Sequence, residues 1–144
     1  MAKTIATIMG IAFILVGLVG FISDNFLGTH LSMTHNLIHL ISGAVALYLG
    51  LKGSLSAARL FCLAFGAVYL LLGVAGFLFN SGTNTTLPDA LRDGGTNNHM
   101  LHVLPGALEL GTMDHIVHIL IGLVFLIGGF LTRADVNRAT DARV

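Results

Sequence analysis

The sequence predicts an all-α polytopic membrane protein with four transmembrane helices. Only 10% of its 144 residues are charged, and its mean hydropathy is +0.88. A soluble domain needs a larger charged fraction to cover its surface. Four apolar runs approach or reach the roughly 20 residues that a membrane-spanning helix requires. Within a single domain, 1–144, they cover residues 4–22, 33–51, 60–79 and 115–131.

The cationic residues predict the orientation of these spans. Lys3 precedes the first span, Lys52 and Arg59 flank the short second connection, and three arginines follow the fourth span. With four crossings these six residues fall on one side of the membrane, and only Arg92 falls on the other. The positive-inside rule therefore predicts that both termini are cytoplasmic.

Two segments lie outside the predicted spans. The long outer loop 80–113 starts with a polar, turn-rich stretch. Its second half, HMLHVLPGALELG, is more apolar and is broken by Pro105 and Gly106. We expect this half to lie at the membrane interface as a short helical piece. The tail 133–144 is expected to be a soluble, frayed end.

Composition and motifs disfavour several classes of function. The formal net charge is zero, and no basic patch with interleaved aromatic residues is present, so nucleic acid is not an expected partner. The single Cys62 excludes an intrachain disulfide and a cysteine-based zinc site. No Ser-His-Asp set, P-loop or GxGxxG is recognisable, which makes an enzyme the less favoured class. The expected partner is the lipid bilayer, and a homo-oligomer or a larger membrane complex stays open.

An internal repeat relates the two halves of the chain. Span one contains GIAFILVGLVGF from Gly10, and span three contains GAVYLLLGVAGF from Gly66. Span two contains HNLIHLISG and span four contains DHIVHILIG, so that His39 matches His118. We therefore predict two copies of one helical hairpin, with chance similarity of glycine-rich helices as the alternative.

Glycines within the spans predict close helix packing. Several pairs are seven residues apart and so lie on one helix face. Small residues let membrane helices approach closely, where no hydrophobic force drives them together. The glycines expected to pack helices are Gly10, Gly17, Gly43, Gly50, Gly66, Gly73 and Gly122.

All seven histidines fall in the outer loops or at the outer ends of spans two and four. His35 and His39 are four residues apart on one helix face, and Asp114 and His118 are spaced in the same way. Polar groups inside a membrane usually face the bundle interior and find partners there. The two pairs are therefore expected to meet.

Three hypotheses fit these residues. In the first, His39 and His118 form interhelical hydrogen bonds that hold the bundle together. In the second, His35, His39, Asp114 and His118 bind zinc or copper, since three imidazoles and a carboxylate suit either ion. In the third, His39 and His118 are axial ligands of a haem, with Gly43 and Gly122 making room for the macrocycle. A transporter is less favoured, because no charge or proline interrupts the middle of a span.

Two short segments resemble the signatures of a known family. Residues 36–43, NLIHLISG, and residues 114–122, DHIVHILIG, are similar to motifs of small bacterial four-helix membrane proteins that are catalogued only as a domain of unknown function. The resemblance covers roughly residues 5–132. It implies four helices in a bacterial inner (plasma) membrane and brings no activity with it. The sequence thus predicts a small integral membrane protein of uncharacterised function, for which an accessory or structural subunit is one candidate role. The alternative is a metal- or haem-binding membrane protein that uses the paired histidines at the outer ends of helices two and four.

Overall fold

The structure, a computed structural model, describes residues 1–79 and 100–132. It is mostly helical, and its four helices are long and apolar enough to cross a membrane, which confirms that part of the prediction. The predicted tail 133–144 and residues 80–99 of the predicted outer loop lie outside the described residues. In chain order the elements are α1 (Ala2–Val19), α2 (Met33–Leu51), α3 (Leu55–Leu78), β1 (Leu101–Leu104), β2 (Leu108–Leu110) and α4 (Thr112–Leu131).

Serine caps fix where two of the helices begin. The Ser32 hydroxyl accepts a hydrogen bond from the backbone N–H of His35 at 3.3 Å, and α2 starts at the next residue. Ser54 caps α3 in the same way, accepting from Ala57 at 3.1 Å. A side-chain oxygen at the N-cap satisfies an N–H group that the helix itself leaves unbonded. For this reason α3 begins at Leu55, five residues before the predicted span 60–79.

The helical piece predicted in the second half of the outer loop was wrong. This segment forms an antiparallel hairpin in which β1 pairs with β2. Pro105 and Gly106 occupy its turn, Gly106 has φ +76°, and Ala107 donates to the Leu104 carbonyl at 2.9 Å. Proline followed by a glycine of positive φ is the sequence preference of a type II turn, and proline cannot continue a helix. The described residues thus form four helices and one short β-hairpin, and the protein is mostly helical.

Helices pack most closely within two pairs, α1 with α2 and α3 with α4. The glycines lie where the backbones of each pair meet. A Cβ atom on Gly10 would lie 2.6 Å from the backbone nitrogen of Leu47, and one on Gly122 would lie 2.6 Å from that of Leu70. Even alanine is too large at such a contact, so each pair approaches more closely than other residues would allow. The other predicted packing glycines also lie against a neighbouring helix, namely Gly17, Gly43, Gly50, Gly66 and Gly73.

The bundle has two ends, which we name by their segments. The terminal end contains residues 1–3, 52–54 and 131–132, and there Ala2 donates its N–H to the Thr132 hydroxyl at 2.7 Å. The loop end contains residues 20–32 and 100–111. There the Ser32 hydroxyl donates to the Ala107 carbonyl at 2.6 Å, which ties the first loop to the hairpin.

Asp114 fastens the loop end to α4. Its carboxylate accepts the Gly111 N–H at 2.8 Å, as the N3 residue of a capping box, and is 1% exposed. The same carboxylate accepts the backbone N–H of His30, at 3.3 Å and 3.1 Å to its two oxygens. One buried anion therefore holds both the helix start and the loop that precedes α2.

We expect Gly10→Ala and Gly122→Ala each to lower the free energy of unfolding by about 1–3 kcal/mol, because the new methyl group forces two helix backbones apart. The loss is measured by titration with a denaturing detergent followed by circular dichroism. Ala44→Val on the exposed side of α2 is the matched control and should change little. An unchanged unfolding midpoint in both glycine variants would contradict the close packing.

We expect Asp114→Ala to destabilise the protein by about 1–3 kcal/mol, since it leaves the N–H groups of Gly111 and His30 without their acceptor. Asp114→Asn keeps one acceptor oxygen and should lose less. Asp24→Ala removes a carboxylate that makes no side-chain hydrogen bond to a described residue, and serves as the control. Equal stability of all three variants in the same detergent titration would show that the hydrogen bonds to Asp114 do not stabilise the fold.

Candidate metal centre

Three buried histidines meet between the two helix pairs. His35 and His39 lie one turn apart on α2, and His118 reaches them from α4. One nitrogen of each ring lies within 4.8 Å of those of the other two. The side chains are 3%, 7% and 5% exposed, respectively. The structure thus brings together three of the four residues predicted to bind metal.

His35 is held in one orientation by the backbone. Its Nδ1 lies 2.7 Å from the carbonyl oxygen of His30. A carbonyl can only accept, so Nδ1 carries the proton and Nε2 keeps its lone pair. Metal-binding histidines in proteins are commonly oriented in this way, by a hydrogen bond from the nitrogen that does not bind the metal.

Aromatic stacking holds the other two rings. His39 stacks on Phe13 of α1 with ring centroids 5.5 Å apart, and His118 stacks on Tyr69 of α3 at 5.2 Å. The Nδ1 atoms of both rings are buried and lack a hydrogen-bond partner among the described residues. Ring packing therefore positions these two histidines.

Asp114 stands beside the cluster. It was predicted as the fourth ligand, but its two oxygens bind the N–H groups of Gly111 and His30. An aspartate at the third position of a helix is drawn to the N–H groups at the helix start, which carry partial positive charge. It nevertheless lines a small cavity together with the three histidines. Its negative charge is thus close to the cluster without being part of it.

Gly43 and Gly122 do not provide space for a haem. The carbonyl oxygen of Gly10 lies 2.9 Å from the position of a Cβ atom on Gly43. The carbonyl oxygen of Gly66 lies at the same distance from that position on Gly122. The backbones of α1 and α3 therefore fill the space that a macrocycle would need.

Two cavities flank the three histidines. The larger, of about 400 Å³, lies between α2, α3 and the hairpin. The smaller, of about 100 Å³, lies between α1, α4 and loop 20–32. His35, His39 and His118 line both cavities, so a ligand could reach the cluster from either side.

The remaining histidines lie outside the cluster. The ring of His115 packs against Gly76 and Phe77. His102 lies in the hairpin, where its Nε2 is 3.7 Å from the buried carboxylate of Glu109. The His30 ring lies 3.8 Å from Asp114. His99 is outside the described residues.

Three residues that shape the centre were not predicted from the sequence. Phe13 stacks on His39 and Tyr69 stacks on His118. The His30 carbonyl orients His35. The repeat held a signal for the first two, because each follows a matched glycine, Gly10 or Gly66, by three residues. No sequence signal points to the His30 carbonyl, since every residue carries one.

Comparison with known proteins yields one family. A search of curated proteins and a search of solved structures find no match. A model described as Domain of unknown function (DUF4383) matches residues 3–112. The match spans α1, α2, α3 and the hairpin and ends at the first residue of α4, so that His118 lies beyond it. Since it covers well over half of the chain, this protein belongs to the DUF4383 family of domains of unknown function.

Proposed function

We propose that this membrane protein binds a transition-metal ion, zinc or copper, through His35, His39 and His118. The observation that carries the proposal is the approach of three buried imidazole nitrogens to within 4.8 Å of one another. Buried polar groups without partners are costly, and more so inside a membrane. A metal ion would supply a partner to His39 and His118, whose Nδ1 atoms have none among the described residues.

The geometry requires only a modest adjustment. Zn–N bonds of about 2.0–2.1 Å in a tetrahedral site bring ligand nitrogens to about 3.4 Å from one another. Small rotations of the imidazoles would shorten the distances between their nitrogens from up to 4.8 Å to about 3.4 Å. Three protein ligands leave the fourth position open, as in sites where a metal binds water or a further molecule.

Charge favours copper in its monovalent form. Imidazole binds a metal ion in its neutral form, so the whole charge of the ion would remain in a medium of low dielectric constant. The cost of burying an ion is high and rises steeply with its charge. Asp114, on the smaller cavity, offsets one positive charge. A Cu⁺ ion would then be neutralised, whereas Zn²⁺ would keep one positive charge.

The haem hypothesis and the subunit hypothesis draw less support. A haem between His39 and His118 would have to displace His35, whose ring centroid lies 4.4 Å and 5.9 Å from theirs. An accessory or structural role in a larger membrane complex is compatible with metal binding. The apolar side chains that all four helices expose fit contact with a lipid bilayer.

We further propose that the bundle is two copies of one helical hairpin. Gly10 lies against Gly43 in one pair, and Gly66 lies against Gly122 in the other. The same correspondence places a ring on each deeper histidine, Phe13 on His39 and Tyr69 on His118. Two kinds of contact that repeat in both helix pairs support duplication over a chance similarity of glycine-rich helices.

We also propose a bacterial inner-membrane location with both termini in the cytoplasm. Lys3, Lys52 and Arg59 all lie at or near the terminal end, where the Arg59 Nε donates to the Gly129 carbonyl at 3.1 Å. The rule that cytoplasmic ends carry the cations supports this orientation.

The metal proposal predicts one zinc or copper ion per chain after purification and reloading, measured by elemental analysis. His39→Ala and His118→Ala should each weaken binding by about 100-fold, because two imidazoles hold an ion poorly. His102→Ala, at a histidine outside the cluster, is the matched control and should retain the metal. A folded protein that takes up neither ion, or that loses binding equally in all three variants, would refute the site.

The orientation predicts which side of the membrane reacts with an impermeant maleimide. Ser23→Cys, in the exposed loop that follows α1, should be labelled in intact spheroplasts. Ser56→Cys, exposed at the start of α3, should be labelled only after lysis. The native Cys62 is buried and should contribute no background. The reverse pattern of labelling would invert the topology.

A further inference from the structure

We propose that the larger cavity binds a flat, neutral, lipid-soluble ring with carbonyl oxygens, the chemistry of a membrane quinone. The cavity holds about 400 Å³, within the range of about 300–1,000 Å³ that small-molecule sites occupy. The inference concerns the cavity and does not require that the histidines hold a metal.

The lining excludes an ionised headgroup. Among the residues that the structure describes, no aspartate, glutamate, lysine or arginine lines this cavity. A fatty acid or phospholipid placed there would bury its charge without a counterion, at high cost. A neutral molecule carries no such penalty, so the occupant is uncharged.

Polar and aromatic groups line one wall. His39 and His118 are 7% and 5% exposed, and the Nδ1 atom of each lacks a hydrogen-bond partner among the described residues. In the metal-free protein, a neutral imidazole carries an N–H that can donate to a carbonyl oxygen. Tyr69 stacks on His118 at 5.2 Å, and Phe65 lies 6.1 Å from Tyr69. Rings on this wall favour a flat aromatic or quinonoid ligand over a bulky aliphatic one.

The opposite side opens toward lipid. Ile41, Val45 and Val68 line the cavity and are 66%, 43% and 53% exposed on the helix surfaces that would face the bilayer. Helices α2 and α3 belong to different pairs and pack loosely against each other. A lipid-soluble molecule can therefore enter sideways from the membrane, with its tail left among the acyl chains.

The chain suits a direct fluorescence test, because it has no tryptophan and only two tyrosines. Tyr48 is 65% exposed on α2, whereas Tyr69 lines the cavity. Tyr48→Phe leaves Tyr69 as the sole emitter, and a bound quinone quenches its fluorescence. The probe is a benzoquinone with a ten-carbon tail, added to this variant in micelles that contain a metal chelator. We expect saturable quenching with one quinone per chain.

Two variants in the Tyr48→Phe background separate binding from partitioning into the micelle. Val45→Phe fills the cavity mouth and should weaken binding at least tenfold. Val124→Phe, at a valine of 41% exposure that lines neither cavity, is the matched control and should bind as before. If Val45→Phe loses its helical circular dichroism, Val68→Phe narrows the same mouth from the facing helix.

Quenching that rises linearly with quinone, and equally in both variants, would overturn the proposal. The chelator separates this test from that of the metal site. Metal uptake without saturable quenching contradicts only the cavity ligand. Saturable quenching in a protein that binds no metal contradicts only the metal centre.

Discussion

The contact of glycine with the backbone of the neighbouring helix is the constraint on which this bundle depends. Gly10 against Gly43 and Gly66 against Gly122 bring the helices of each pair together more closely than side chains would permit. In a bilayer the lipid is as apolar as the helices, so close packing has to supply what hydrophobic burial supplies in water. Each helix pair is thereby tightly packed, and other residues make the contact between the two pairs.

The histidines occupy that second, looser contact. Toward the terminal end, alanines and the rings of Phe61 and Phe125 fill the space between the two helix pairs. Toward the loop end the filling is incomplete, and cavities of about 400 Å³ and 100 Å³ lie on either side of His35, His39 and His118. Polar side chains, a nearby carboxylate and open space thus coincide in a region that the packing leaves unfilled. This combination supports the proposed binding centre.

The sequence predicts the helices and the three histidines, because both follow from periodicity. Apolar length identifies a span, and i, i+4 spacing places His35 and His39 on one face. Asp114 is equally well spaced, but the N–H groups at the start of its own helix compete for its oxygens, and spacing does not reveal that competition. The β-hairpin formed by β1 and β2 was not predicted, for a similar reason. The apolar composition of residues 99–111 suits an interfacial helix, whereas the Pro105–Gly106 turn decides in favour of strands.

The central claim is that one metal ion binds three imidazoles between the two helix pairs. X-ray absorption spectroscopy of the copper- or zinc-loaded protein tests it most directly, because scattering from the imidazole rings counts histidine ligands. The account predicts three nitrogen ligands at about 2.0 Å, each with the outer-shell pattern of histidine. A spectrum with sulfur, with oxygen alone, or with fewer than three histidines would contradict it.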